Sequence, residues 1–314
     1  MKRMRISHWC LGIFLPLALW GCTATESELS EDGKPNVVAT STIIADLTQE
    51  VGGEEINLTG ILEPGADPHV YEPVPADSKA LETADLVLYN GYNLEPGIIK
   101  LINAVGDKVK NLPVGEVVAP LKLEKSEGEI VPDPHVWGSV ENSIAMVNAI
   151  TQALIEVSPE DKDKFTENAA ELTQELQQLH IWIKAQIATI PVDKRKLITT
   201  HDAFQYYANT YNLEIAGTLI GISTEEQPSA QTVKQLVDEI KKIGVPAIFA
   251  ETTINPALIT TVAEEAGVKL SANPLYSDSI GAKGSSGETY IKMMEANTRS
   301  VVEALGGQYT PFQP

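Results

Sequence analysis

Beyond its first few dozen residues the chain alternates short apolar runs with amphipathic stretches. Residues 37–40 read as a strand, 43–51 as a helix, and 56–62 as a second strand that ends at Glu63-Pro64-Gly65. The rhythm recurs with 81–84 closing a helix, 86–89 as a strand, 95–105 as a helix and 144–157 as a longer one. In the second half, 197–200, 215–220 and 247–250 read as strands, with helices at 203–211, 230–243 and 257–266. Strands that alternate with helices build parallel sheets. The unit spanning 38–61 is echoed by the unit spanning 198–220, so the pattern predicts an α/β protein of two similar lobes, each a parallel sheet flanked by helices.

Between them, Ser158-Pro159-Glu160 carries the marks of a helix start: a capping hydroxyl, proline in the first turn and acidic side chains against the positive end of the helix dipole. Phe165, Ala169, Leu172, Leu176, Leu179, Ile183 and Ile187 follow at intervals of three or four until Pro191 stops the run. At 1.5 Å per residue this predicts roughly 45 Å of helix, long enough to cross both lobes and to resist a wide hinge opening. The expected organisation is a signal peptide over 1–21, a lipid-attached tether over 22–35, an N-terminal lobe over 36–157, one long rigid linking helix over 158–190 and a C-terminal lobe over 191–314.

The leader supports the first two divisions. Met1-Lys2-Arg3-Met4-Arg5 is basic, and 9–20 is an apolar stretch too short for a permanent membrane span, the form of an export signal. Leu19-Trp20-Gly21-Cys22 resembles a bacterial lipobox, with Trp20 where a smaller residue is the norm, and places lipidation at Cys22. The alternative is an ordinary signal peptide with an incidental cysteine. Cys10 lies inside the leader, so no thiol remains for a disulfide or a thiolate metal site. Residues 23–35 are polar and aperiodic, as a tether is. The expected location is outside the cytoplasmic membrane, held to the cell envelope by lipid, with the rest of the chain a monomer.

Charge narrows the partners. With 314 residues, 23 basic and 43 acidic side chains, the chain has a formal charge of −20 and lacks the clustered Lys and Arg that nucleic-acid binding requires.

Histidine is scarce, five in all with His8 in the leader, and three sit in short motifs: Asp67-Pro68-His69, Asp133-Pro134-His135 and Thr200-His201-Asp202. A carboxylate candidate, Asp278, lies in the later loop Tyr276-Ser277-Asp278-Ser279. Three imidazoles and a carboxylate suit a borderline transition metal such as zinc or manganese. His69 and His201 follow predicted strands, where open parallel sheets place their ligands, and His135 stands in a proline-stiffened loop. Taken singly, each could be a surface or hydrogen-bonding histidine, and spacing does not prove that they converge. His180 is assigned to the linking helix. Asp67, Asp133 and Asp202 could orient the imidazoles or merely cap turns, while Tyr71, Glu72 and Trp137 read as packing and loop-fixing residues. No His-Glu-x-x-His helix, nucleophile elbow, phosphate loop or Gly-x-Gly-x-x-Gly is present. A catalytic zinc keeps one position open, so ligation by Asp278 would mean carriage, and its absence would leave hydrolysis open.

Five stretches carry a resemblance to a known family: 65–73 (GADPHVYEP), 133–137 (DPHVW), 200–207 (THDAFQYY), 246–251 (PAIFAE) and 275–279 (LYSDS). Through them the chain, over about 37–305, resembles the zinc/manganese-type, cluster A solute-binding lipoproteins of bacterial ABC importers. The resemblance implies two α/β lobes joined by a long helix, with one manganese(II) or zinc(II) ion in the cleft. It also implies ligation by His69 and His135 from the first lobe and His201 and Asp278 from the second, and delivery to an ABC permease that senses lobe arrangement. Members with glutamate at the third position are associated with manganese or iron, so His201 leans toward zinc. The 121–131 stretch lacks the histidine-rich loop of many zinc-dedicated members, and Gly138-Ser139-Val140 replaces an Asp-Pro after Trp137. A surface adhesin and a metallohydrolase are the competing readings.

Overall fold

The structure is a computed structural model that describes residues 33–124 and 128–314. The expected signal peptide, Cys22 and the tether as far as residue 32 lie outside the described residues.

The N-terminal lobe runs β1 (Asn36–Ala39), α1 (Thr42–Gly52), β2 (Asn57–Gly60), α2 (Pro75–Glu82), β3 (Leu86–Tyr89), α3 (Pro96–Val105), β4 (Lys110–Pro113), the strands β5 (Lys122–Glu124) and β6 (Ile130–Pro132), and α4 (Val140–Val157). Its sheet has the order β2-β1-β3-β4, parallel throughout, with β1 and β3 in the middle. Val37, Ala39, Leu86 and Leu88 are buried on one face, and Val38 and Val87 on the other against Leu81, Ile98 and Ile102. A sheet buried on both faces requires continuous apolar strands, which is why β1 and β3 are so plain in the sequence. The edge strand β4 has only Leu112 and Pro113 as apolar residues and was not predicted, nor was the antiparallel pair β5–β6.

The long helix α5 (Lys162–Ala188) buries all seven residues of the predicted stripe. It begins later than expected. Pro159 opens a 3₁₀ turn, Pro159–Asp161, and the Ser158 hydroxyl donates to Asp161 Oδ2 at 2.6 Å instead of capping a backbone N–H of the helix. The α-helical part is 27 residues, roughly 40 Å. Each large apolar side chain buried along it contributes roughly 1.5–3 kcal/mol, so α5 is a core element and not a flexible connector.

The C-terminal lobe contains β7 (Lys196–Thr199), α6 (Gln205–Tyr211), β8 (Glu214–Thr218), α7 (Ala230–Ile243), β9 (Ala247–Ile248), α8 (Ala257–Ala266), β10 (Lys269–Leu270) and α9 (Tyr290–Ala304). Its strands form two parallel pairs, β7–β8 and β9–β10, joined where the Phe249 N–H donates to the Ile198 carbonyl at 2.9 Å. The expected strand at 247–250 has regular strand pairing only at Ala247 and Ile248; beyond them the chain stays bonded on both sides, with the Leu275 N–H donating to the Ala250 carbonyl at 2.9 Å. Helix α9 was not predicted: its inner face mixes Met293, Met294, Val301 and Val302 with buried Asn297, Thr298 and Ser300, which blurs the apolar period.

The largest core passes through both lobes, joining α1, α4, α5, α6 and α9. A smaller one lies under β7, α7, β9 and α8. After α9 the chain returns to α5, where the Trp182 indole donates to the Thr310 carbonyl at 3.0 Å and the Thr310 N–H donates to Gln186 Oε1 at 2.8 Å.

Candidate metal centre

The four segments that carry the candidate ligands meet between the lobes. His69 sits between β2 and α2, in a loop fixed where the His69 N–H donates to Asp67 Oδ1 at 2.9 Å. His135 follows β6 at the start of a single 3₁₀ turn, His201 lies just beyond the carboxyl end of β7, and Asp278 belongs to the loop between β10 and α9. They are separated by up to 209 residues in sequence, yet one donor atom from each lies within 4.8 Å of all the others. All four are buried, none more than 3% exposed.

The outer nitrogens of two rings are engaged by carboxylates, which turns their Nε2 atoms inward. Asp133 Oδ1 accepts from the His135 backbone N–H at 3.0 Å and lies 2.8 Å from ring Nδ1. Glu251 holds His201 in the same way, with Oε1 accepting its backbone N–H at 2.8 Å and Oε2 paired with ring Nδ1. Facing inward, His69 Nε2 is 3.2 Å from His135 Nε2, Asp278 Oδ1 is 3.3 Å from His135 Nε2, and Asp278 Oδ2 is 3.2 Å from His201 Nε2. His201 Nε2 and Asp278 Oδ1 are buried without a hydrogen-bond partner among the described residues. Donor atoms three to five ångströms apart can surround a single ion at ordinary metal–ligand distances, and carboxylate on the far ring nitrogen is the usual means of fixing a ligating histidine.

Electrostatics divide the rings. Burial, with His135 and His201 adding to it, pushes His69 down to about 3 despite Asp278. Burial also disfavours charge on His135, but Asp133 and Asp278 outweigh it and raise the ring to about 9. For His201 the opposition between burial and the carboxylates of Glu251 and Asp278 ends well above the ordinary imidazole value. Burial would raise Asp278, yet His201 and His135 hold it well below the usual carboxylate range. The cluster thus balances the Asp278 carboxylate against the imidazoles of His135 and His201, which its charge shifts toward protonation.

All four sequence candidates are brought together. Among the neighbouring acids, Asp133 orients a ring as one reading had it, whereas Asp67 and Asp202 do not. Asp67 fixes its own turn and accepts from the Thr224 hydroxyl at 2.6 Å, while Asp202 accepts from the Gln205 side chain. Trp137 is loop-fixing across the cleft: its indole donates to the Ser277 carbonyl at 2.9 Å and its ring meets His135 edge to face. The Tyr71 hydroxyl donates to Asp77. His180 lies on α5 beside Tyr211, remote from the cluster. Sequence reading assigned no role to Glu251, whose signal was an acid directly following the apolar run 247–250.

A two-lobed α/β fold spanned by one helix, with three inward-facing imidazoles and a carboxylate converging between the lobes, has the form of a substrate-binding protein for a metal ion. The sequence matches the family described as zinc-uptake complex component A, periplasmic, over residues 37–304. It is 34% identical over 306 residues to the manganese-binding lipoprotein MntA of Halalkalibacterium halodurans, covering 97% of this chain and 99% of that protein. To the manganese-binding lipoprotein MntA of Bacillus subtilis it is 35% identical over 298 residues, covering 93% and 97%. Among solved structures it is similar to the periplasmic zinc-binding protein TroA of Treponema pallidum, with a TM-score of 0.82 and 32% identity over 87% of this chain and 99% of that one. The chain belongs to the zinc-uptake component A family; it is a substrate-binding protein of an ABC importer and not an enzyme.

Proposed function

We propose that this protein captures one manganese(II) or zinc(II) ion between its lobes through His69, His135, His201 and Asp278, and presents it to an ABC permease. The observation that carries this reading is the convergence of four buried donor atoms within 4.8 Å. A fourth protein ligand closes the shell that a hydrolytic zinc would keep open, so the ion is cargo. The names of its relatives support both metals, and the donor set accepts both: neutral imidazoles suit zinc, while a carboxylate able to offer two oxygens suits the harder manganese ion.

The lobes at 36–157 and 191–314, with the linker at 158–190, are the working units of this reading. Two ligands come from each side, so the ion ties the lobes and the loaded arrangement becomes what the permease recognises. The protein acts as a monomer after removal of 1–21, on an envelope tether attached through Cys22; the lipoprotein names of its relatives support this placement.

The test is elemental analysis of the mature protein purified without chelators, compared with His69→Ala and Asp278→Ala. Folded variants that have lost a stoichiometric ion are expected. Unchanged metal content in both would overturn the assignment.

A further inference from the structure

Behind His135 the loop from β3 to α3 holds a backbone that side chains rarely adopt. Gly91, Tyr92 and Asn93 have φ of 82°, 49° and 59° in succession. Non-glycine residues in this region are strained and persist only where their surroundings enforce it, commonly near a functional site.

Two carboxylates provide the enforcement. Glu95, 1% exposed, accepts the Asn90 backbone N–H at 2.6 Å and the Thr40 hydroxyl at 2.8 Å, both on Oε1. Glu116 Oε1 accepts the Tyr92 N–H at 2.9 Å. From the other side the Gly115 N–H donates to the Asn90 carbonyl at 2.9 Å, so closely that a Cβ on Gly115 would stand 2.7 Å from that oxygen. Keeping an acid here is costly: burial pushes Glu95 up to about 7, and its Oε2 has no partner among the described residues. An apolar residue would pack at lower cost.

What this arrangement delivers is the side chain of Asn90. Fully buried, it donates through Nδ2 to the Pro134 carbonyl at 2.9 Å and to the Gly91 carbonyl at 3.1 Å. The Pro134 carbonyl belongs to the peptide that leads directly into His135. Asp133 sets the rotation of the His135 ring, while Asn90 sets the backbone from which it projects. Together they determine where Nε2 stands.

We infer that Asn90, locked by Glu95 in the strained 90–95 loop, is a positioning residue for the metal ligand His135. The inference rests on the proposed metal-carrier function. A positioning role requires that loss of Asn90 change the geometry at the ion, and not merely the stability of the fold.

Cobalt(II) reports that geometry through its visible absorption, and competition with zinc reports affinity. The wild type, Asn90→Ala, Asn90→Ser, Glu95→Ala, Glu95→Gln and the core variant Val87→Ala are compared. Serine is too short to span to Pro134 and carries the test should the alanine variant not fold. Both Asn90 variants and Glu95→Ala are expected to shift the cobalt bands and to weaken zinc binding by roughly 10–100-fold, as loss of a ligand's supporting partner does. Glu95→Gln, which retains an acceptor for Asn90 and Thr40, recovers most of that loss. Val87→Ala, whose side chain is buried in the same lobe, lowers thermal stability and leaves the spectrum in place. Asn90 variants with wild-type bands and affinity within twofold would overturn the inference while leaving the carrier function intact. A wild type that binds neither metal would overturn both.

Discussion

His201 and Glu251, fifty residues apart, form a buried pair in which one carboxylate accepts the backbone N–H of the histidine and engages its ring Nδ1. The strand order makes this contact: β7 and β9 lie side by side, so the residues just beyond their carboxyl ends become neighbours. Glu251→Ala releases the ring and leaves the His201 N–H buried without an acceptor. Its metal affinity is expected to fall roughly 10–100-fold, with Glu251→Gln losing less, as measured by chelator competition.

Asp278 faces two rings and is the only carboxylate in the proposed ligand set. Asp278→Asn removes the charge that favours a divalent cation and the partner of the protonated rings, so its loss of affinity should exceed that of any Glu251 variant. Titration calorimetry of both variants checks the order.

Metal binding is expected to release protons. His135 is raised to about 9 by Asp133 and Asp278, so at pH 7 it carries a proton that a metal must displace, and Glu251 and Asp278 shift His201 in the same direction. Apparent affinity therefore rises with pH, by about tenfold per unit for each proton displaced, the His135 proton ceasing to contribute once the pH passes about 9. Calorimetry in buffers of different ionisation enthalpy counts the protons.

The metal-free protein follows the opposite slope. Because His135 is raised in the folded state, its stabilising contribution is complete below the unfolded value near 6.5 and is lost as pH rises through about 9. The increase in Tm on adding metal should widen between pH 6.5 and 9, which differential scanning fluorimetry measures directly.

Contacts flanking Asp278 tie its loop to the N-terminal lobe. Ser279 Oγ accepts the Gly65 N–H at 2.8 Å and lies 3.0 Å from the Thr42 hydroxyl, while the Ile280 N–H donates to Thr42. Ser279→Ala is expected to cost roughly 1–2 kcal/mol of stability and to speed metal dissociation, seen as a faster chelator-trapped release.

Much of this was legible in the chain, for reasons that can be named. The strands β1 and β3 and the stripe of α5 are written in apolar residues buried on both faces or at helical spacing. The scarcity of histidine exposed the candidate ligands. Glu251 and Asn90 left fainter traces, because a buried acid or amide that supports a ligand has no periodicity; its role exists only once β9 is beside β7, or the 90–95 loop beside Pro134. The late start of α5 was hidden in a competition between Ser158 and Asp161, in which the serine hydroxyl bonded to the aspartate and not to the helix. Helix α9 was obscured by Asn297 on its buried face, which holds both the N–H and the carbonyl of Tyr276, two residues from Asp278.

The most direct test of the central claim is X-ray absorption at the metal edge of the protein loaded with one equivalent of zinc or manganese. The account predicts a single ion with three imidazole nitrogens, at roughly 2.0–2.1 Å for zinc, and carboxylate oxygen completing the shell, with one imidazole lost in His201→Ala. An ion coordinated by oxygen alone, or a shell unchanged in His201→Ala, would contradict it.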